Sequence, residues 1–115
     1  IGNAMMPPEI AGRWSHAIIE EFTAQVKAER ALGIPVTAMM DGLTDPVAAA
    51  KSQVGFIDFV VAPMAKPLFS LCPGMTAPMD NMAANREKQH EIVQKSQVDD
   101  IRHNMKSVAN SAVQV

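Results

Sequence analysis

The sequence predicts an all-α fold, and three observations carry that prediction. Eight prolines punctuate a 115-residue chain rich in Ala, Met, Glu, Gln and Lys, a composition of helices divided by turns. Strand formers gather in one place, Val54 to Val61, and no alternating apolar pattern stands out elsewhere. Ile10, Trp14, Ile18, Phe22 and Val26 recur at four-residue steps, which reads as one amphipathic helical face.

The elements follow in order. Residues 1–8 read as a loop, because Gly2, Asn3 and Pro7-Pro8 oppose regular structure. A first helix starts near Glu9, just after the prolines, with acid in its first turn. Gly33 and Pro35 stop it. Residues 34–45 form a loop containing Met39, Met40, Asp41 and Gly42. A second helix has Thr44 or Asp45 as N-cap and Pro46 at its first position. Taken alone, Val54–Val61 could be a buried strand; the unbroken lead-in from Pro46 decides for helix. Pro63 and Pro67 should kink or end it, and Pro73-Gly74 is the next turn. A third helix runs from about Ala77 to Gln94. Beyond Lys95, Val98, Ile101, Met105 and Val108 keep a helical stripe, read as a peripheral helix partly docked on the domain, or as a surface for a partner or a second copy.

Composition narrows the function. The net charge is −2 and the pI about 5.9, so the basic face of a general nucleic-acid binder is absent. A single cysteine, Cys72, excludes an internal disulfide framework, fits a reducing, cytoplasmic setting, and reads as a small buried or semi-buried apolar residue. No uninterrupted apolar run reaches about 18 residues, so no transmembrane segment is expected. Three histidines, His16, His90 and His103, sit in polar surroundings with no H-x-x-x-H, H-D or C-x-x-C spacing, and read as solvated surface. Glu20-Glu21 point in different directions on a helix, which favours a solvated pair or a structural ion pair over paired catalytic carboxylates.

The stretch richest in chemistry is Lys51-Ser52-Gln53-Val54-Gly55-Phe56-Ile57-Asp58-Phe59-Val60. Gln53 and Phe56 stand three apart, hence on one helical face. An amide offers a donor and an acceptor in one plane, and a ring offers a flat apolar wall. The pair suits the edge and face of a flat heterocycle such as a purine; a packed core helix with one satisfied amide would look the same.

Its surroundings are specific. Upstream stand Trp14, Ile18-Ile19-Glu20-Glu21-Phe22 and Gln25, then Gly33-Ile34-Pro35 and Met39-Met40-Asp41. This order resembles the C-terminal part of the catalytic domain of class I 3′,5′-cyclic-nucleotide phosphodiesterases. There a W-x3-I/L-x-E-E-F helix leads through a P-x-M/L/C-D loop to a K/Q-S-Q-V/I-G-F-I-D-F/Y helix. The resemblance covers roughly residues 1–90, and Asn85-Arg86 echoes a pair often carried by the family's last catalytic-domain helix. It divides the chain into residues 1–93, part of the catalytic domain, and a helical tail over 94–115.

The resemblance implies hydrolysis of a 3′,5′-cyclic nucleotide to the 5′-monophosphate. It also implies an HD-type helical domain and two divalent metals, Zn and Mg, held by two histidines and two aspartates. Those ligands and the general-acid histidine correspond to sequence upstream, the last aspartate immediately before the residue matched by Ile1. No metal ligand and no catalytic residue is therefore expected here, and the remainder of the catalytic domain is an implied partner. Position by position, Gln53 matches the glutamine holding the purine edge and Phe56 the ring stacking on the base. Ile18 matches the opposite side of that clamp. Phe22 and Met39, and more weakly Ile19, match apolar lining. Asn3 matches a variable position that is often asparagine in cAMP-selective members, so cAMP is favoured. Trp14 matches a pocket-side tryptophan, although a core anchor fits it equally. Val26-Lys27, Gly42 and Pro67 depart from the pattern, leaving room for a non-catalytic helical scaffold derived from the same fold.

Overall fold

Local signals place the helix ends, and long-range packing places the helices. In the computed structural model, described over residues 1–114, α1 spans Pro8–Ala31, α2 Pro46–Phe56, α3 Ala62–Leu71 and α4 Thr76–Val113. Short 3-10 turns cover Gly2–Met5 and Ala38–Met40, and a π-helical turn, Ile57–Val61, joins α2 to α3. Among the described residues there is no strand, as the sequence predicts.

The α1 terminus is a Schellman motif. Gly33 takes a left-handed φ of 68°, its N–H donates to the Arg30 carbonyl, and the Ile34 N–H donates to Glu29, both at 3.2 Å. Asp45 is the N-cap of α2: its carboxylate accepts from the Ala48 N–H at 2.9 Å, with Pro46 at the first helical position. Loop 34–45 is latched to α1. The Thr37 N–H and hydroxyl donate to the Glu29 carboxylate at 2.9 and 3.1 Å, and Arg30 pairs with Asp41 at 2.7 Å. The Gln25 amide first, then Thr37, holds the Glu29 carboxyl below its usual range.

Four expectations need correction. Helix two does not end at Pro63 or Pro67, but continues to Leu71. The π turn is the reason: its wider hydrogen-bond register, with Ala62 N–H reaching back to the Ile57 carbonyl, lets the helix pass through a proline that has no N–H to give. The resulting helical rod, Pro46–Leu71, is 26 residues long and apolar enough, by length and composition, to cross a membrane. The expectation of no such segment is thereby corrected in length and composition alone, a test that a core helix also passes; one side of the rod packs on α4, while Phe59, Met64 and Leu71 lie exposed on its surface.

The third correction concerns the tail. Helix three does not stop at Gln94: α4 is continuous to Val113, and its last buried residue is Val93. Val98, Ile101, Met105 and Val108 are all exposed, so the stripe is not docked on the described residues. The fourth is Cys72, which is free and exposed because it caps α3 just before the Pro73-Gly74 turn.

The core lies along the rod. Ile57, Val61, Ala62, Ala65 and Phe69 pack against Met82 of α4, with Ala4 and Met5 of the first turn beside them. Across this seam the Arg86 guanidinium grips the Asp58 carboxylate through two hydrogen bonds, 2.6 and 2.9 Å. That grip holds the Asp58 carboxyl below its ordinary value of 3.8, outweighing partial desolvation; Lys66 and His90 add smaller attractions.

A depressed carboxyl stabilises the fold above its unfolded pKa, and that contribution fades as pH falls through the folded value. Asp58→Asn should therefore be less stable than wild type at neutral pH by a roughly constant margin. The margin should close below 3.8. Urea unfolding of both proteins across acid pH checks this, and a margin that persists at the acid end would show that the pair is not the cause.

Candidate functional site

A cleft of about 460 Å³ opens between α1, the rod and α4. The α1 wall is set by helical periodicity. Ala11, Ser15, Ile18, Ile19 and Phe22 lie along one side at three- and four-residue steps. The rod supplies Gln53, Phe56, Ile57 and Val60 from one face. Met39 and Leu43 close the end nearest the latched loop, and Asn3 and Ala4 line the cleft from the first turn.

All six residues singled out from the sequence thus line one cavity: Asn3, Ile18, Phe22, Met39, Gln53 and Phe56. They come from four separate segments of chain. Phe56 keeps 38% of its surface exposed and Gln53 is half-buried, so neither is consumed by the core. A ring with an open face beside a reachable amide can stack on a flat heterocycle and hydrogen-bond its edge. The apolar walls supply the area for such a ligand, as in other mostly apolar sites with a few polar groups.

Trp14 is not among the lining residues and is exposed, so it is neither a pocket residue nor a core anchor within this chain. Strict four-residue steps drift by about 40° each around a helix with 3.6 residues per turn. The Ile10–Trp14–Ile18–Phe22–Val26 series therefore winds around α1, and Trp14 leaves the inward face. His16 is exposed and lies 3.3 Å from Glu20, as expected of surface groups.

Sequence reasoning missed Asn85, Lys88 and Gln89, which line the cleft from α4. Asn85 is a buried polar residue whose amide donates to the Ala4 and Met6 carbonyls at 2.9 and 2.8 Å. Its place beside Arg86 was visible, but partners 79 and 81 residues away leave no local trace.

Among the described residues no group of three His, Cys, Asp or Glu could hold a metal ion. The donor set of a two-metal hydrolase is thus not found in them, and they do not fit such a centre by themselves.

The fold and the cleft define an all-helical domain segment with a mostly apolar cavity that carries a few polar side chains. The chain belongs to the 3′5′-cyclic nucleotide phosphodiesterase family, whose profile matches residues 1–82. The mouse high affinity cGMP-specific 3′,5′-cyclic phosphodiesterase 9A is 38% identical over 73 residues, 64% of this chain and 13% of that protein. The probable 3′,5′-cyclic-AMP phosphodiesterase pde-4 of Caenorhabditis elegans is 34% identical over 88 residues, 76% of this chain and 13% of that protein. The crystal structure of the phosphodiesterase domain of Salpingoeca rosetta rhodopsin phosphodiesterase superposes with a TM-score of 0.78 at 30% identity. It covers 90% of this chain and 30% of that domain. The chain therefore spans a small part of its relatives' length.

Proposed function

We propose that this chain forms the base-binding wall of an enzyme that hydrolyses a 3′,5′-cyclic nucleotide to the 5′-monophosphate. The observation that carries the reading is the convergence of Gln53, Phe56 and Ile18 on one cleft, in a chain of this family. Gln53 reads the base edge, while Phe56 and Ile18 hold its two faces. Phe22 and Met39 enclose the apolar remainder. Fixing the base in this way orients the cyclic phosphate toward the reacting centre, and such positioning can lower a barrier by several kcal/mol. The two divalent metals, Zn and Mg, that the family implies would be held by the remainder of the catalytic domain, a partner in this reading. A cytoplasmic setting accompanies it, since a free, exposed thiol persists in a reducing compartment.

The finer reading is a preference for cAMP, and it rests on Asn3. A glutamine amide presents either its oxygen or its NH₂, so Gln53 alone accepts both purines. The Asn3 carbonyl can accept from the adenine amino group while its NH₂ donates to N7. Guanine would require both amides to turn. Leaving one buried polar group unpaired costs about 1–3 kcal/mol, or roughly 5- to 150-fold in preference. The relatives' names include both a cGMP-specific and a cyclic-AMP enzyme, so the family by itself does not decide. Measuring kcat/KM for both nucleotides with the full-length enzyme and with Asn3→Ala tests this. The wild type should favour cAMP and the variant should lose that margin; an unchanged ratio removes Asn3 from the account and leaves the Gln53–Phe56 clamp in place.

A further inference from the structure

The first turn, Gly2–Met5, has little to hold it in place by itself. No side chain caps it, and its internal support is one short run of 3-10 backbone hydrogen bonds, whose ends are Ala4 N–H to the Ile1 carbonyl and Met6 N–H to the Asn3 carbonyl, both 3.2 Å. A segment this short is marginal without outside contacts. Ala4 and Met5 pack on the core of the rod, α1 lies alongside, and the hydrogen-bonded anchoring comes from α4. The Asn81 amide donates to the Met5 carbonyl at 3.2 Å, and the Asn85 amide donates to Ala4 and Met6 at 2.9 and 2.8 Å. Three consecutive carbonyls thus accept from two amides one helical turn apart on one face of α4. The next residue, Arg86, is locked to Asp58 two residues beyond Phe56. One turn of α4 therefore registers both walls of the cleft: Asn3 through Asn81 and Asn85, and the Gln53–Phe56 face through Arg86.

We propose that Asn81 and Asn85 are positioning residues, a two-amide clamp that holds Asn3 at the cleft and thereby sets which purine the cleft accepts. Neither needs to touch the ligand. An amide that gives its N–H groups to backbone carbonyls fixes where the next side chain along that backbone stands, and Asn3 directly precedes the clamped run. The kinetic consequence rests on the phosphodiesterase reading above, whereas the clamp itself does not.

Two measurements on the full-length enzyme separate these. Amide hydrogen exchange in Asn85→Ala and in the isosteric Asn85→Asp, which has no N–H to give, should show lost protection at Ala4 and Met6. The amides of α1 and α2 should keep theirs. Asn81 is only half-buried, so Asn81→Ala carries the same test should Asn85 variants not fold. Unchanged protection at Ala4 and Met6 would overturn the clamp, whatever the enzyme hydrolyses.

The kinetic arm reads selectivity. Losing one such hydrogen bond, as in Asn81→Ala, should shift the ratio of kcat/KM between cAMP and cGMP by about 3- to 10-fold, through KM more than kcat, and Asn85→Ala, which loses two, should shift it at least as far. In an Asn3→Ala background the same substitution should shift it no further, because the clamp acts through Asn3. Additive shifts in the double variant would overturn the specificity role and leave a merely structural one. A wild-type enzyme that turns over neither nucleotide would overturn the hydrolase reading, with hydrogen exchange still deciding the clamp.

Discussion

Phe56→Ala in the full-length enzyme is expected to raise KM by roughly 5- to 150-fold with a smaller fall in kcat, the range set by base–aromatic stacking of about 1–3 kcal/mol. The ring lines the cleft with part of its surface open, so what it loses as alanine is contact with the ligand. A phenylalanine buried in a core costs about 3–5 kcal/mol of stability when cut to alanine. With 38% of its surface exposed, Phe56 should cost less, and an unfolding curve of the variant separates the two effects. A collapse of kcat at unchanged KM would remove Phe56 from the binding role. Its place in the site would then lie with the reacting atoms.

The 115-residue chain by itself is expected to hydrolyse neither cAMP nor cGMP, a complete loss relative to the full-length enzyme. The reasoning is chemical. A two-metal hydrolase needs a converging set of histidine and carboxylate ligands, and none is formed by the described residues. Added Zn²⁺ or Mn²⁺ should not restore turnover. A helical circular-dichroism signal from the purified chain would show that the test is made on folded material. Metal-dependent turnover by that chain would place the ligands among these residues and sink the assignment of the metals to the remainder of the domain.

Much of the cleft was legible because its signals are local. Gln53 and Phe56 lie within one helical turn, and their string is specific enough to name a family before any coordinates. Ile18, Phe22, Met39 and Asn3 follow from the resemblance to that family, position by position, and all four line the cleft. The sequence failed where the deciding contact was distant or the register unusual. Nothing near Pro63 announces that a π turn will carry the helix past it. Trp14 fits an apolar series on paper, yet α1 turns it outward.

By itself, then, the sequence determined the helical class, the proline-marked starts of α1 and α2, the glycine stop, and the family, since each rests on residues within a few positions of one another. The tertiary structure decided the geometry in which four segments share one cleft, with Asn85, Lys88 and Gln89 of α4 added to its wall. It decided that Val98, Ile101, Met105 and Val108 stay exposed among the described residues, and that Asn81 and Asn85 anchor a turn 76 to 81 residues away. An amide on a helix has the same local environment whether its distant partner is water or a buried carbonyl. Only packing of α4 against the first turn distinguishes them.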